Sequence, residues 1–116
     1  MAGKRLNWSA RAKRDLHEIL QFYRLRNGNN EYGRKLLQEF RLAKKRIERE
    51  ERIGQQFEDS NLRFVVVVST YQMFYRIGWK QNTVVTVWDG RRDPKTFGFD
   101  PLKKHVNYRT GKTERP

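Results

Sequence analysis

The chain has 116 residues, enough for one packed domain and short of what two would need. It contains no cysteine, which excludes disulfides and thiolate metal sites. Its 26 Lys and Arg stand against 13 Asp and Glu, a net charge of +13 that points to nucleic acid or an acidic protein as partner and leaves the fold open. The two histidines, His17 and His105, are far apart, so a zinc site would need several carboxylates and no metal is expected. Charges recur through MAGKRLNWSARAKRDL, and the longest apolar run, FVVVV at 64–68, is far shorter than the roughly 20 residues a membrane helix requires. A cytoplasmic protein without a membrane partner is the expectation.

KRLNW (4–8) predicts a short strand, with Ser9 as the N-cap of a following helix. Ala12, Leu16, Ile19 and Tyr23 recur at helical spacing with Leu20 beside them, while Arg11, Lys13, Arg14, Asp15 and Glu18 take the other face, an amphipathic pattern of about 17 residues. RNGNN (26–30) stops it, because Gly and Asn tolerate the left-handed conformation. Tyr32, Leu36, Phe40, Ala43 and Ile47 describe a second helix ending near Arg52, and so short a link predicts an antiparallel helical hairpin. Within AKKRIEREER, Lys44 and Glu48, and Arg46 and Glu50, are opposite charges four residues apart, which reads as a solvated helix face.

IGQQFEDSN (53–61) reads as a loop. LRFVVVV (62–68), YQMFYRI (71–77) and TVVTVW (83–88) are β-rich, and their short connections predict an antiparallel meander. The order is β-α-α-β-β-β, an α+β fold with the helical hairpin packed on one face of a small antiparallel-rich sheet and the other face free to be polar. Alternation places Arg63 opposite Leu62 and Phe64, and Arg76 opposite Tyr75. Both arginines are read as the start of a basic surface that Arg91 and Arg92 extend beyond the last strand, since a guanidinium fork grips phosphate or carboxylate with two hydrogen bonds. Pairing with Asp89, Asp93 or Glu58 is the alternative reading of these arginines.

Taken with that element order, LNWSARAKRDLHEI, FYRI and VWDGRRDP resemble the RelE/ParE superfamily, the toxins of bacterial type II toxin-antitoxin modules, over about residues 4–97. The resemblance implies one toxin domain over 1–97; the tail over 98–116 reaches beyond it and, basic and rich in Thr, Gly and Pro, is expected to be flexible. The resemblance also implies neutralisation by a cognate acidic antitoxin, and either ribosome-dependent cleavage of mRNA (RelE-like) or inhibition of DNA gyrase without hydrolysis (ParE-like); neither needs a cofactor. In the nuclease case, Arg63, Arg76 and Arg91 would stabilise the phosphorane charge, and Tyr75 would stack on a base or handle a proton.

Where several nuclease members carry a histidine or tyrosine, near the end of the last strand, this chain has Trp88 and Asp89. A carboxylate beside Arg91 is expected to titrate low and to be a poor base. The GRRDP ending looks more like the ParE side. The residues expected to contact the target or a nucleic acid are Arg63, Arg76, Arg91, Arg92, Lys95 and Trp88. Outside the toxin class, the composition also fits a non-toxic basic RNA- or DNA-binding module with Trp79, Trp88 and Tyr75 as stacking groups. TGKT (110–113) lacks the glycine that a phosphate-binding loop requires at position 106, which is Val106, so nucleotide hydrolysis is not expected.

Overall fold

In the first described strand, β1 (Leu6–Trp8), Leu6 is buried, and the chain turns into a helix at Ser9. The Ser9 hydroxyl accepts from the Ala12 N–H and donates to the Val85 carbonyl, both at 3.0 Å, so one side chain caps the helix and ties its start to a later strand. Helix α1 (Ala10–Asn27) ends at Gly28, whose φ of 77° is the left-handed conformation and whose N–H donates to the Arg24 carbonyl. Asn29 Oδ1 then accepts from the Glu31 N–H at 2.9 Å, opening α2 (Glu31–Arg49). A computed structural model describes residues 4–91 and, further on, the paired two-residue strands β6 (Val106–Asn107) and β7 (Lys112–Thr113).

Leu36, Phe40, Ala43 and Ile47 of α2 are buried as their spacing predicts, whereas Tyr32 stays 38% exposed and packs edge-on against Tyr23. The helix stops at Arg49 rather than near Arg52, and Glu50 is extended. The segment read as a loop contains β2 (Gln55–Gln56), which pairs with β3 (Leu62–Val67). No sequence signal marks β2, because both of its residues are polar and exposed.

Strands β4 (Tyr71–Arg76) and β5 (Asn82–Asp89) complete a mixed sheet in the order β1-β5-β4-β3-β2. The meander β3-β4-β5 is antiparallel, while β1 pairs parallel to β5. A parallel pair needs a long crossover, and the helical hairpin is that crossover. Leu6, Phe40, Ile47, Val65, Met73, Tyr75 and Val84 belong to the core between helices and sheet. The opposite face is not polar as expected: Leu62, Phe74 and Trp88 form a second apolar cluster there, with Phe57, Phe64 and Val85 packed against it.

Two local features generate tests. In the β3–β4 turn, which has three residues between the paired Val67 and Tyr71, Val68 (φ 46°) and Ser69 (φ 57°) are both left-handed, a conformation that a β-branched residue adopts only with strain. Val68→Gly is therefore expected to raise stability by about 1 kcal/mol in denaturant unfolding, and a destabilised variant would show that the turn is not strained.

At the other edge, the Lys44–Glu48 pair at 3.0 Å does more than decorate a solvated face, since Glu48 Oε2 also accepts from the Leu6 N–H at 2.9 Å. Burial opposes ionisation of Glu48, yet the hydrogen bonds from Leu6 and Lys44 hold its carboxyl below the ordinary value of 4.5. Glu51 is lowered by the Asn82 amide first, against burial, and by Lys4. Carboxylates with depressed folded pKa values contribute stability that is fully present above the ordinary value and lost as pH falls through the folded one. The melting temperature is expected to fall below about pH 4.5, and Glu48→Gln to flatten that fall.

Candidate functional site

Strand alternation distributes the predicted site residues over the whole sheet. In the β3–β4 register Arg63 stands opposite Tyr75, and Leu62 opposite Arg76. Arg63 and Tyr75 therefore share the helix-facing side, while Arg76 belongs to the outer side with Leu62 and Phe74. The expected basic surface running through Arg63 and Arg76 does not form, because neighbouring positions of a strand point to opposite faces.

Tyr75 is fully buried. Its hydroxyl donates to the Glu51 carbonyl at 2.6 Å and accepts from the Gly54 N–H at 2.9 Å. Burial pushes the phenol above its ordinary pKa, with a smaller opposing effect from the Gly54 N–H. Arg63 Nη1 donates to the carbonyls of Gly54 at 2.7 Å and Arg52 at 3.3 Å. Together the two side chains pin the connection between α2 and β2. Arg76 is exposed, and its side chain has no hydrogen bond or ion pair among the described residues. Trp88 is 8% exposed within the outer-face cluster.

Arg91 lies at the other end of the sheet. Tyr71 pairs with Asp89 and Arg76 with Thr83, so the length of β4, about 16 Å at 3.3 Å per residue, separates the Arg76 end from the Arg91 end. Asp89 holds Arg91 with both oxygens, at 3.0 Å from Nε and 2.9 Å from Nη2, and also accepts the Arg91 backbone N–H at 2.9 Å. This is the local pairing considered as the alternative from sequence. The hydrogen bond to Asp89, and then one to Tyr23, keeps the guanidinium's pKa raised. Beside it, the Tyr71 hydroxyl donates to that of Tyr23 at 3.2 Å, and burial raises its pKa. Asp15, Glu18, Tyr71, Asp89 and Arg91 line a cleft of about 210 Å³ here. Arg92 and Lys95 lie outside the described residues.

Two features escaped the sequence reading. Asp15, assigned to the exposed face of α1, accepts from the Thr86 hydroxyl and, at 3.2 Å, from the Val87 N–H, so it rivets the helix to β5. An aspartate in mid-helix, where its propensity is poor, is the one signal that could have marked it. The second is a groove of about 650 Å³ between α1 and α2, floored by Trp8, Leu16, Leu20, Leu37 and Phe40 and rimmed by Lys13, Arg41, Lys45 and the paired Lys44 and Glu48. Helical periodicity assigns Leu16 and Leu20 to the apolar face, and Leu37 carried no such signal; all three are half-buried and line the groove.

Among the described residues, no group of three His, Asp or Glu could hold a metal, and no helix is long and apolar enough to cross a membrane. Removing the Tyr75 hydroxyl leaves the buried Gly54 N–H and the half-buried Glu51 carbonyl without their partner, so Tyr75→Phe is expected to cost about 1–3 kcal/mol in denaturant unfolding. Gly54→Ala should cost at least as much, because a Cβ there would lie 2.6 Å from the Tyr75 oxygen and 3.0 Å from the Phe64 carbonyl. Parent-like unfolding of both variants would refute this anchor.

The family described as "ParE toxin of type II toxin-antitoxin system, parDE" matches residues 6–94. Among solved structures, one titled "Chromosomal ParDE TA system from P. aeruginosa" superposes with a TM-score of 0.63 at 19% identity, covering 74% of this chain and 95% of that one. At that identity the likeness speaks to the fold, which the two share. No curated protein sequence matches the chain. The family match takes in both helices and all five strands of the main sheet, and on that ground the chain belongs to the ParE toxin family of type II toxin-antitoxin systems.

Proposed function

We propose that this toxin inhibits DNA gyrase without cleaving RNA, and that an acidic antitoxin neutralises it by seating an amphipathic segment in the groove between α1 and α2. The dispersal of the candidate nuclease groups carries the first part. RNA cleavage needs a base, an acid and a phosphate-stabilising cation around one phosphodiester. Arg63 and Tyr75 are committed to holding a backbone connection, Arg76 is on the other face, and Arg91 is clamped by Asp89 a strand's length away. Gyrase inhibition is the activity that resemblance assigns to ParE-like members, and it requires no hydrolytic centre on the toxin.

The antitoxin reading rests on charge and shape. An apolar floor whose rim carries Lys13, Arg41 and Lys45 beside the paired Lys44 and Glu48 complements an amphipathic segment with acidic flanks. A chain of net charge +13 attracts such a segment over a distance, at a rate that falls with salt.

Two experiments test these readings. Expression of the toxin alone should stop growth, the purified protein should abolish gyrase supercoiling, and mRNA ends should be unchanged; new cuts within translated codons with gyrase unaffected would overturn the proposal. Reversing Arg41 and Lys45 to glutamate should weaken antitoxin binding about tenfold or more at physiological salt, and unchanged binding would remove the groove as its seat.

A further inference from the structure

The connection between β4 and β5, residues 77–81, carries Trp79, which is 89% exposed and the most exposed large apolar side chain among the described residues. This turn has a single, well-anchored shape. The Gly78 N–H donates to Oδ1 of the buried Asn82 at 3.0 Å, and the Asn82 amide donates in turn to Glu51 at 3.1 Å. Lys4 Nζ donates to the Gly78 carbonyl at 2.8 Å, and the Asn7 amide donates to Gln81 Oε1 at 2.5 Å. A Cβ at Gly78 would lie 2.3 Å from the Gln81 carbonyl, so the chain can close this tightly only at glycine. The backbone under Trp79 is thus already ordered, which removes part of the entropy cost of binding through it.

Its surroundings are cationic. Segments 4–8 and 76–82 contain Lys4, Arg5, Arg76 and Lys80 and no acidic residue. Glu51 reaches the turn but is neutralised by Lys4 at 3.2 Å. The side chains of Arg76 and Lys80 have no hydrogen bond or ion pair among the described residues. Of the three aromatic groups considered from sequence as stacking on a base, Tyr75 and Trp88 are buried and Trp79 is presented to solvent; the other exposed aromatic rings among the described residues, Phe22 and Tyr32, lie on the helices and are less exposed, at 51% and 38%. An exposed indole on an anchored turn, with unpaired cations near it in the chain, matches a ligand that offers flat π-faces along a phosphate backbone. Duplex bases are already stacked, and an acidic peptide would satisfy the cations without offering such faces.

We infer that the β4–β5 turn is a contact site for single-stranded nucleic acid, with Trp79 as the stacking platform and Arg76 and Lys80 as phosphate contacts. This site stands apart from the antitoxin groove and from gyrase inhibition, and either can fail without the other.

Fluorescence anisotropy of the full-length protein with a labelled oligothymidylate of roughly 20 nucleotides, longer than the sites of about 4–16 nucleotides such platforms occupy, tests it. Trp79→Ala should weaken binding at least about fivefold, with Trp79→Phe retaining part of the affinity and Lys35→Ala on α2 unchanged. Arg76→Ala should weaken binding and lower its salt dependence between about 50 and 200 mM. Thermal unfolding of Trp79→Ala should match the parent, since the side chain is in solvent. Parent-like affinity in Trp79→Ala would overturn the inference. So would duplex binding as tight as the single strand, or an equal loss of binding to polyglutamate, which would make the turn a protein contact.

Discussion

The parallel pairing of β1 with β5 is the constraint on which the rest of the molecule depends. It joins the first described element to the last strand of the main sheet, so everything between them must leave β1, cross the sheet and return as the meander. Ser9 secures the junction twice: its N–H donates to the Val84 carbonyl at 2.9 Å, and its side chain caps α1 while bonding Val85. Asp15 adds a second attachment of α1 to β5, one turn and a half further on. With the hairpin held there, one face of the sheet receives Phe40 and Ile47, and the other keeps its own apolar cluster around Phe74 and Trp88.

That arrangement also separates the basic residues. Arginines that are neighbours in a list of candidates are parted by strand alternation or by the length of β4, and each meets a different environment. Arg63 satisfies carbonyls, Arg91 satisfies a carboxylate, and Arg76 faces solvent. A fold of this size can hold an RNA-cleaving centre only if several such groups converge. Here the polar groups near the sheet are used to fasten connections, which suits a toxin acting by binding its target.

The surfaces left over differ in kind. The groove between α1 and α2 is apolar with a charged rim, the chemistry of a protein segment that folds as it binds. The β4–β5 turn presents a single indole among cations on a rigid loop, the chemistry of stacked bases. Glu48 lines the first surface and, by accepting the Leu6 N–H, also closes part of the outward edge of β1, where another strand would otherwise add.

Much of the fold was legible in the sequence because it is written in local terms. Apolar spacing marks both helices, Ser9 and Gly28 mark the ends of α1, and apolar β-rich runs mark the three meander strands within a residue or so. The family, too, could be read from short motifs in their order. What the sequence could not settle depends on groups distant in the chain. The parallel register of β1 on β5, the short β2, the anchoring of Tyr75 by Glu51 and Gly54, and the burial of Trp88 are set by which surfaces meet, since a side chain's role changes with the face it is turned to. From sequence came the order of the two helices and the four longer strands, the charge and the family. Tertiary structure alone decided which arginines and aromatics are free to act, because strand alternation and long-range hydrogen bonds, rather than residue type, assign each of them to core, anchor or surface.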